Sequence, residues 1–417
     1  VEAESVRRCA FFGELGLDGS IRPVPGAAPM VGVLGDHDVI VPIGNATEAE
    51  VIASGRVHPV CHLRELIDVL ANGAPWPDHE RPEASERARP ERPPGDLSDV
   101  VGQPMARHAL EIAAAGGHHL LMVGPPGAGK TMLAARLPGL LPELDPEAAL
   151  QATMIHSAAG VELPPHGLVR RPPFRAPHHT CSEVAMVGGG SHSLRPGEAS
   201  LAHRGVLFLD ELPEFAARAL DTLRQPLEEG SVRVSRAAIH TTIPAGFQLV
   251  AAMNPCPCGG GNAPGECECG EARVRKYVSR VSGPLLDRFD LRVGVEPPSI
   301  AELLDGGRGE ATRVVAARVA RARARAVERQ GVLNAALAAD ELDTIAPLGA
   351  EALGVLRHEL ERGRLSARGF HRVRRVARTI ADLHDDANEV IDESEVALAL
   401  EMRTTVRRSG SFAGRAA

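Results

Sequence analysis

The eight residues Gly124-Pro125-Pro126-Gly127-Ala128-Gly129-Lys130-Thr131 satisfy the pattern G-x-x-x-x-G-K-[ST] at every fixed position. Such a loop turns backbone N–H groups toward phosphate oxygens, while Lys130 supplies a compact charge for the outer phosphates and the Thr131 hydroxyl a ligand for Mg²⁺. The apolar run Leu120 to Val123 precedes the loop and the helix-like Met132 to Leu137 follows it, the strand-loop-helix setting the pattern needs. A second apolar run, Val206 to Leu209, ends in Asp210 and Glu211, at the end of a strand where open α/β sheets bind ligands. Asp210 is expected to hold Mg²⁺, directly or through water, and Glu211 to orient and polarise an attacking water. A third run, Phe247 to Met253, ends in Asn254, which would hydrogen-bond a terminal phosphate or that water; an Asn after a strand is also an ordinary turn former.

Four of the seven cysteines fall in Cys256-Pro257-Cys258 and Cys267-Glu268-Cys269, two C-x-C pairs across a Gly-rich loop. Four thiolates in one short loop can enclose a tetrahedral Zn²⁺, and with all four positions filled by protein such a site would be structural; reduced, unligated thiols are the alternative. Cys9, Cys61 and Cys181 are isolated and read as packing residues.

The elements that must position these groups follow from pattern and composition. Residues 1–74 alternate short apolar runs with turns and a helical Leu63 to Leu70, a small α+β unit. Residues 75–97 mix prolines with both charges and read as a linker. Residues 98–298 alternate strand-like and helical stretches, as a parallel α/β sheet requires, and 299–408 read as helices near 310–330, 350–361, 371–385 and 392–406. Residues 409–417 are expected to form a disordered tail. No repeat of 20 to 50 residues is present. The chain has 417 residues, 44% hydrophobic, and is neither disordered nor fibrous. Its apolar runs are far shorter than the roughly 20 residues that span a bilayer, and no secretory signal opens it, so a cytoplasmic protein without membrane contact is expected. Val1 falls directly into strand-like sequence, and a longer natural N-terminus is expected.

Of the 46 Lys plus Arg, only Lys130 and Lys276 are lysines, and one of the two stands in the phosphate loop. Aromatics, at 3%, argue weakly against recognition by base stacking. The net charge of -8 conceals local basic segments. Arg318, Arg321, Arg325 and Arg329 recur at helical spacing as one basic face, and Arg362, Arg364, Arg372, Arg374, Arg375 and Arg378 add charge to the C-terminal third. Residues 170–195 carry Arg170, Arg171, Arg175, His178, His179, His192 and Arg195 among Pro and Gly, the composition of an exposed insertion. Residues 230–246 predict a β-hairpin in which Arg233, Arg236 and His240 project, for phosphate contact or merely into solvent.

The run from His203 through Asp210-Glu211-Leu212-Pro213-Glu214-Phe215, together with Leu223 to Gly230 and Met253-Asn254-Pro255-Cys256-Pro257-Cys258-Gly259, resembles the magnesium-chelatase-like AAA+ ATPases of the ComM/YifB branch, and the similarity covers essentially the whole chain. The resemblance implies a phosphate-loop NTPase module with a parallel sheet, a C-terminal helical lid, and a homo-hexameric ring hydrolysing ATP between subunits. Within Ser282 to Asp290 it maps Arg288 onto an arginine finger acting on the neighbour's nucleotide; a salt bridge to Asp287 or Asp290 is the plainer reading. It places the second sensor at Arg368, with Arg372 one helical turn on as the competitor, and turns the 170–195 insertion toward a central pore.

Phe11 to Gly26 resembles part of a Lon-protease-type domain. A Ser-Lys protease needs a lysine there, residues 1–74 have none, and arginine does not act as a base, so proteolysis is excluded and a binding or ring-assembly role is left. The resemblance implies an Mg²⁺-dependent ATPase that translocates or remodels single-stranded or branched DNA, as in branch migration. A chelatase-type motor acting on a protein partner for metal insertion is the alternative.

Overall fold

The computed structural model describes residues 6–53, 55–79, 95–189, 194–236, 239–260, 267–305, 307–384 and 389–403. Most of the expected linker, all of the expected tail, His192 and the centre of the hairpin turn lie outside them.

Five parallel strands form the central sheet, in the order Leu291–Gly294, Leu120–Val123, Gln248–Met253, Val206–Leu209, Phe174–Arg175. The three inner strands are buried throughout and apolar except for Gln248, whose amide donates to the carbonyls of Ala113 and His118, because both faces are covered. Alternate side chains divide between two cores. Leu120, Met122, Phe208, Val250 and Ala252 face the helix Pro104–Gly116 and the C-terminal helices, and Leu121, Val123, Leu207, Leu209 and Ala251 face the other side. Val315, Val319, Leu356, Val373 and Ile380 belong to the first core, so the C-terminal helices share one apolar interior with the sheet. Register decides the site: Val123 lies opposite Met253 and Leu209 opposite Ala251, so the phosphate loop, Asp210 and Asn254 emerge together from one edge.

The principal C-terminal helices are Thr312–Gln330, Ala350–Glu361, Ala367–Leu383 and Glu393–Glu401. The third begins four residues before the expected 371, because Ser366 caps it by accepting from the Gly369 amide at 3.1 Å and Gly369 sits inside its first turn.

The basic face expected on Thr312–Gln330 is largely not a free cationic surface. Arg318 pairs with Glu111 at 2.6 Å and Glu310 at 2.7 Å, Arg325 donates to the Asp382 carbonyl, and Arg329 grips the buried Asp382 carboxylate through both nitrogens at 2.7 and 2.8 Å. Arg372, Arg374 and Arg378 are likewise committed, to Asp290, to Asp343 with two carbonyls, and to Asp382. Arg318 and Arg372 tie the helices to the α/β core, Arg325, Arg329, Arg374 and Arg378 tie the C-terminal segment to itself, and their charge is largely spent within the fold.

The N-terminal residues form a parallel sheet of Cys9–Phe11, Asp38–Pro42 and Val57–Val60 over a small core of its own. It is joined to the helix Pro146–Ala159 by Ala28, whose amide donates to Ser157 Oγ at 3.1 Å. The hairpin forms from Ser231–Arg236 and Ile239–Pro244, with Val232 and Val234 buried and Arg233 exposed beside Glu229 at 3.1 Å. Residues 170–189 are only partly a surface insertion: Phe174–Arg175 is the edge strand of the central sheet, and Arg175 is held by Glu198 at 2.7 Å. A two-residue strand is too short for periodicity to reveal. Among the described residues no helix is long and apolar enough to cross a membrane.

Candidate active site

The phosphate loop depends on its glycines. Gly127 and Gly129 adopt φ of 77° and 87°, in the left-handed region, and a side chain on Gly124 would collide with the Val295 carbonyl oxygen. Lys130 opens the helix Lys130–Ala134, and its ammonium donates to the carbonyls of Gly124 at 2.7 Å and Pro125 at 2.8 Å and to Asn254 Oδ1 at 3.2 Å. The side chain thus fills the hollow of its own loop and touches the residue at the end of the neighbouring strand. Burial pulls its pKa below the ordinary lysine range, while Asp210 and Glu211 oppose the shift.

Beside it the Thr131 hydroxyl donates to Asp210 Oδ2 at 2.6 Å. A hydroxyl and a carboxylate so placed are the hard oxygen ligands that Mg²⁺ takes together with substrate phosphates. The other Asp210 oxygen accepts the Glu211 amide at 2.9 Å, and Glu211 has a φ of 51°, unusual for a residue with a side chain. That backbone, costing on the order of 1–3 kcal/mol, is held by the surrounding structure. His179 Nδ1 lies 3.3 Å from Glu211 Oε2, with its ring against His178 at a 4.0 Å centroid separation. Thr131, His178, His179, Asp210 and Glu211 line part of a cavity of about 340 Å³.

Lys130, Thr131, Asp210, Glu211 and Asn254 are therefore brought together as the sequence predicts. Sequence reasoning missed His179, counted only among the cations of the 170–195 segment. It also missed Gln103, whose amide bridges the Ala128 carbonyl at 2.6 Å and the Glu296 carbonyl at 3.1 Å, and Tyr277. Tyr277 is buried against the Asn254 main chain, and burial, with Glu214 nearby, pushes its hydroxyl up to about 12. A polar pair such as His178-His179 two residues beyond a Pro-flanked strand was the available signal.

Arg288 is not brought to this edge. It precedes Leu291–Gly294, which runs parallel to Leu120–Val123, and the Asp290 and Leu291 amides donate to the His119 carbonyl at 3.1 Å, fixing Arg288 at the opposite end of the strands. Four residues of strand separate the two ends by about 13 Å. Neither expected aspartate holds Arg288: Asp287 faces Arg292 at 3.5 Å and Asp290 faces Arg372 at 2.7 Å, while Arg288 pairs with Glu228. Burial, then the nearby charges of Arg372, Arg368 and Arg224, lower the Arg288 pKa, so Arg288 and Arg368 sit in one positive cluster. Arg372 is committed to Asp290 and to the Arg288 carbonyl at 2.8 Å, whereas Arg368 has no ion pair among the described residues. Burial works against the Asp290 carboxylate, but the His118 hydrogen bond and the Arg372 charge outweigh it and hold its pKa well below the usual range.

The four cysteines also converge. Cys256 Sγ is 3.3 Å from Cys258 Sγ and 3.6 Å from Cys267 Sγ, Cys258 and Cys267 are 3.4 Å apart, and all four sulfurs, Cys269 included, lie within 4.8 Å of one another. The arrangement is compatible with a tetrahedral metal.

Comparison with known proteins agrees with this architecture. Residues 96–303 match the family described as magnesium chelatase, subunit ChlI, and residues 309–403 match magnesium chelatase, subunit ChlI C-terminal. The chain is 44% identical to an uncharacterised protein of Mycobacterium tuberculosis, over 97% of this chain and 80% of that protein. It is 40% identical to the competence protein ComM of Haemophilus influenzae, over 98% and 80%, and 42% identical to the uncharacterised protein YifB of Escherichia coli, over 95% and 77%. A parallel sheet with its phosphate loop, a helical C-terminal part and this degree of identity lead to one conclusion: the chain belongs to the magnesium-chelatase-like AAA+ ATPases of the ComM/YifB family.

Proposed function

We propose that the protein is an Mg²⁺-dependent ATPase that hydrolyses ATP at the contact between neighbouring copies in a homo-hexameric ring and uses the energy to translocate or remodel DNA. The observation that carries the reading is the separation of the site into two halves. One edge of the sheet holds Lys130, Thr131, Asp210, Glu211 and Asn254, and the opposite edge presents Arg288 and Arg368. In a ring the second half of one subunit would face the first half of the next. Lys130 would bind the outer phosphates, Thr131 and Asp210 would hold Mg²⁺, and Glu211, oriented by His179, would polarise the attacking water. Asn254 would report on the terminal phosphate through its bond to Lys130. Arg288, released from Glu228, would neutralise charge in the neighbour's transition state, worth a factor of about 10³–10⁵ in rate. Arg368 would act from the same side as the second sensor, since Arg372 is committed inside its own subunit.

DNA as the substrate is supported by the ComM/YifB membership and, more weakly because Arg233 already pairs with Glu229, by the exposed Arg233 and His240 of the hairpin. The basic helix no longer supports it, because Arg318, Arg325 and Arg329 are internally paired. The N-terminal unit, without a lysine, would serve binding or ring assembly as a non-proteolytic Lon-type domain, and a cytoplasmic location fits these roles. The match to a chelatase subunit favours one further reading, a motor that remodels a protein partner for metal insertion. ATPase rate measured against single-stranded, duplex and four-way DNA separates the two: stimulation by DNA supports the first, and a rate indifferent to every DNA overturns it.

A further inference from the structure

We propose that Cys256, Cys258, Cys267 and Cys269 bind one Zn²⁺, and that the resulting knuckle is a clasp that sets the phosphate loop and Asn254 for nucleotide binding. The clasp rests on the reading of the phosphate loop as an ATP site; the metal does not.

Geometry narrows the metal to a single ion held tetrahedrally by four thiolates. Zn–S bonds of about 2.3 Å in a tetrahedron place the sulfurs about 3.8 Å apart. The separations of 3.3, 3.4 and 3.6 Å lie close to that edge. They are far too long for disulfide bonds of about 2.0 Å. A multi-iron cluster would hold its ligating sulfurs much further apart, with the cluster's own atoms between them. Soft thiolate donors without carboxylate or imidazole select zinc over Mg²⁺ or Ca²⁺.

Position gives the clasp its role. Cys256 is buried two residues beyond Asn254, at the end of the central strand Gln248–Met253. Between the first two cysteines and the phosphate loop stands Gly259, with φ of 88° and its amide bonded to the Cys256 carbonyl at 3.0 Å. A Cβ at Gly259 would lie 2.5 Å from Pro126 Cδ and 2.6 Å from its Cγ, so the knuckle's turn rests directly on the loop that cradles phosphate. On the far side Cys269 leads through Gly270 into the helix Glu271–Val278, whose Tyr277 is buried against the Asn254 main chain. One metal would thereby tie the end of the strand, the back of the phosphate loop and the Tyr277 helix together. Removing it frees the Cys256 to Cys269 segment from its cross-link and the loop from its support at Pro126.

The test uses the full chain and two readouts, zinc per chain by elemental analysis and affinity for a fluorescent ATP analogue. Wild type is expected to carry one zinc with its thiols reduced. Cys258→Ser and Cys267→Ser are expected to lose the zinc and to bind the analogue about tenfold or more weakly, the scale of small misplacements at a site. Gly259→Ala keeps all four ligands, so it remains informative should the cysteine variants fail to fold: it is expected to retain zinc and still bind the analogue weakly. Wild type free of zinc, or with these cysteines in disulfides, overturns the proposal. Zinc-free or Gly259→Ala protein that binds the analogue as tightly as wild type overturns the clasp. Zinc-loaded wild type that does not bind the analogue at all refutes the nucleotide reading and the clasp with it, while the metal assignment stands on its own count.

Discussion

Glu211 is the residue on which, in the proposed function, hydrolysis as distinct from binding depends. Its left-handed backbone, the Asp210 carboxylate accepting its amide and the His179 ring at 3.3 Å all fix one carboxylate in place. Glu211→Gln keeps the shape and removes the basicity, so turnover should fall by about 10³ while nucleotide affinity is unchanged. Steady-state ATPase beside a fluorescent-nucleotide titration checks both halves, and unchanged turnover removes Glu211 from the role. Lys130→Ala should instead lose binding, because its ammonium already occupies the hollow where phosphate charge must be met. His179→Asn should lower turnover less than Glu211→Gln and leave binding intact, the signature of a positioning group.

The elements are held by buried polar contacts that join distant parts of the chain. Asp382 accepts Arg329, Arg378 and Asn334 together. Asp382→Ala removes the carboxylate that faces both Arg329 and the Arg378 guanidinium, itself 2% exposed, and should destabilise the protein by about 3–5 kcal/mol in urea unfolding. Acid should act at the sheet. Burial, and for His203 the Arg204 charge, hold the His119 and His203 pKa values down to about 4, although Asp290 opposes this for His119. Unfolded histidines take up protons near pH 6.5, so between about pH 6.5 and 4 the unfolded chain binds more protons and stability falls as pH is lowered, by up to roughly 3 kcal/mol for each group. A urea midpoint that drops from pH 7 to pH 5 is the expected result; a flat profile contradicts it. This level was the least legible in the sequence. The phosphate loop is contiguous, and Asp210 and Asn254 each end an apolar run, so local pattern revealed them. Arg318 and Glu111 are 207 residues apart, and Arg329 and Asp382 are 53 apart. Helical spacing showed a basic face and could not show the acids brought against it. His179 follows a two-residue edge strand, too short to carry a period, so its approach to Glu211 was equally hidden.

In the whole molecule, one chain contains both halves of the proposed site but holds them at opposite ends of the sheet. Strands of this length cannot bring Arg288 to its own phosphate loop, and the Arg288–Glu228 pair occupies it within the subunit. The central claim is therefore that hydrolysis belongs to the contact between copies, and mixing two inactive variants tests it most directly. Arg288→Ala retains Glu211, and Glu211→Gln retains Arg288; where the first abuts the second in the right order, every catalytic group is present. The predicted result is that each variant alone is nearly inactive, while co-assembled mixtures recover a substantial fraction of wild-type ATPase. Mixtures that demonstrably co-assemble yet stay as inactive as either variant alone would contradict the account.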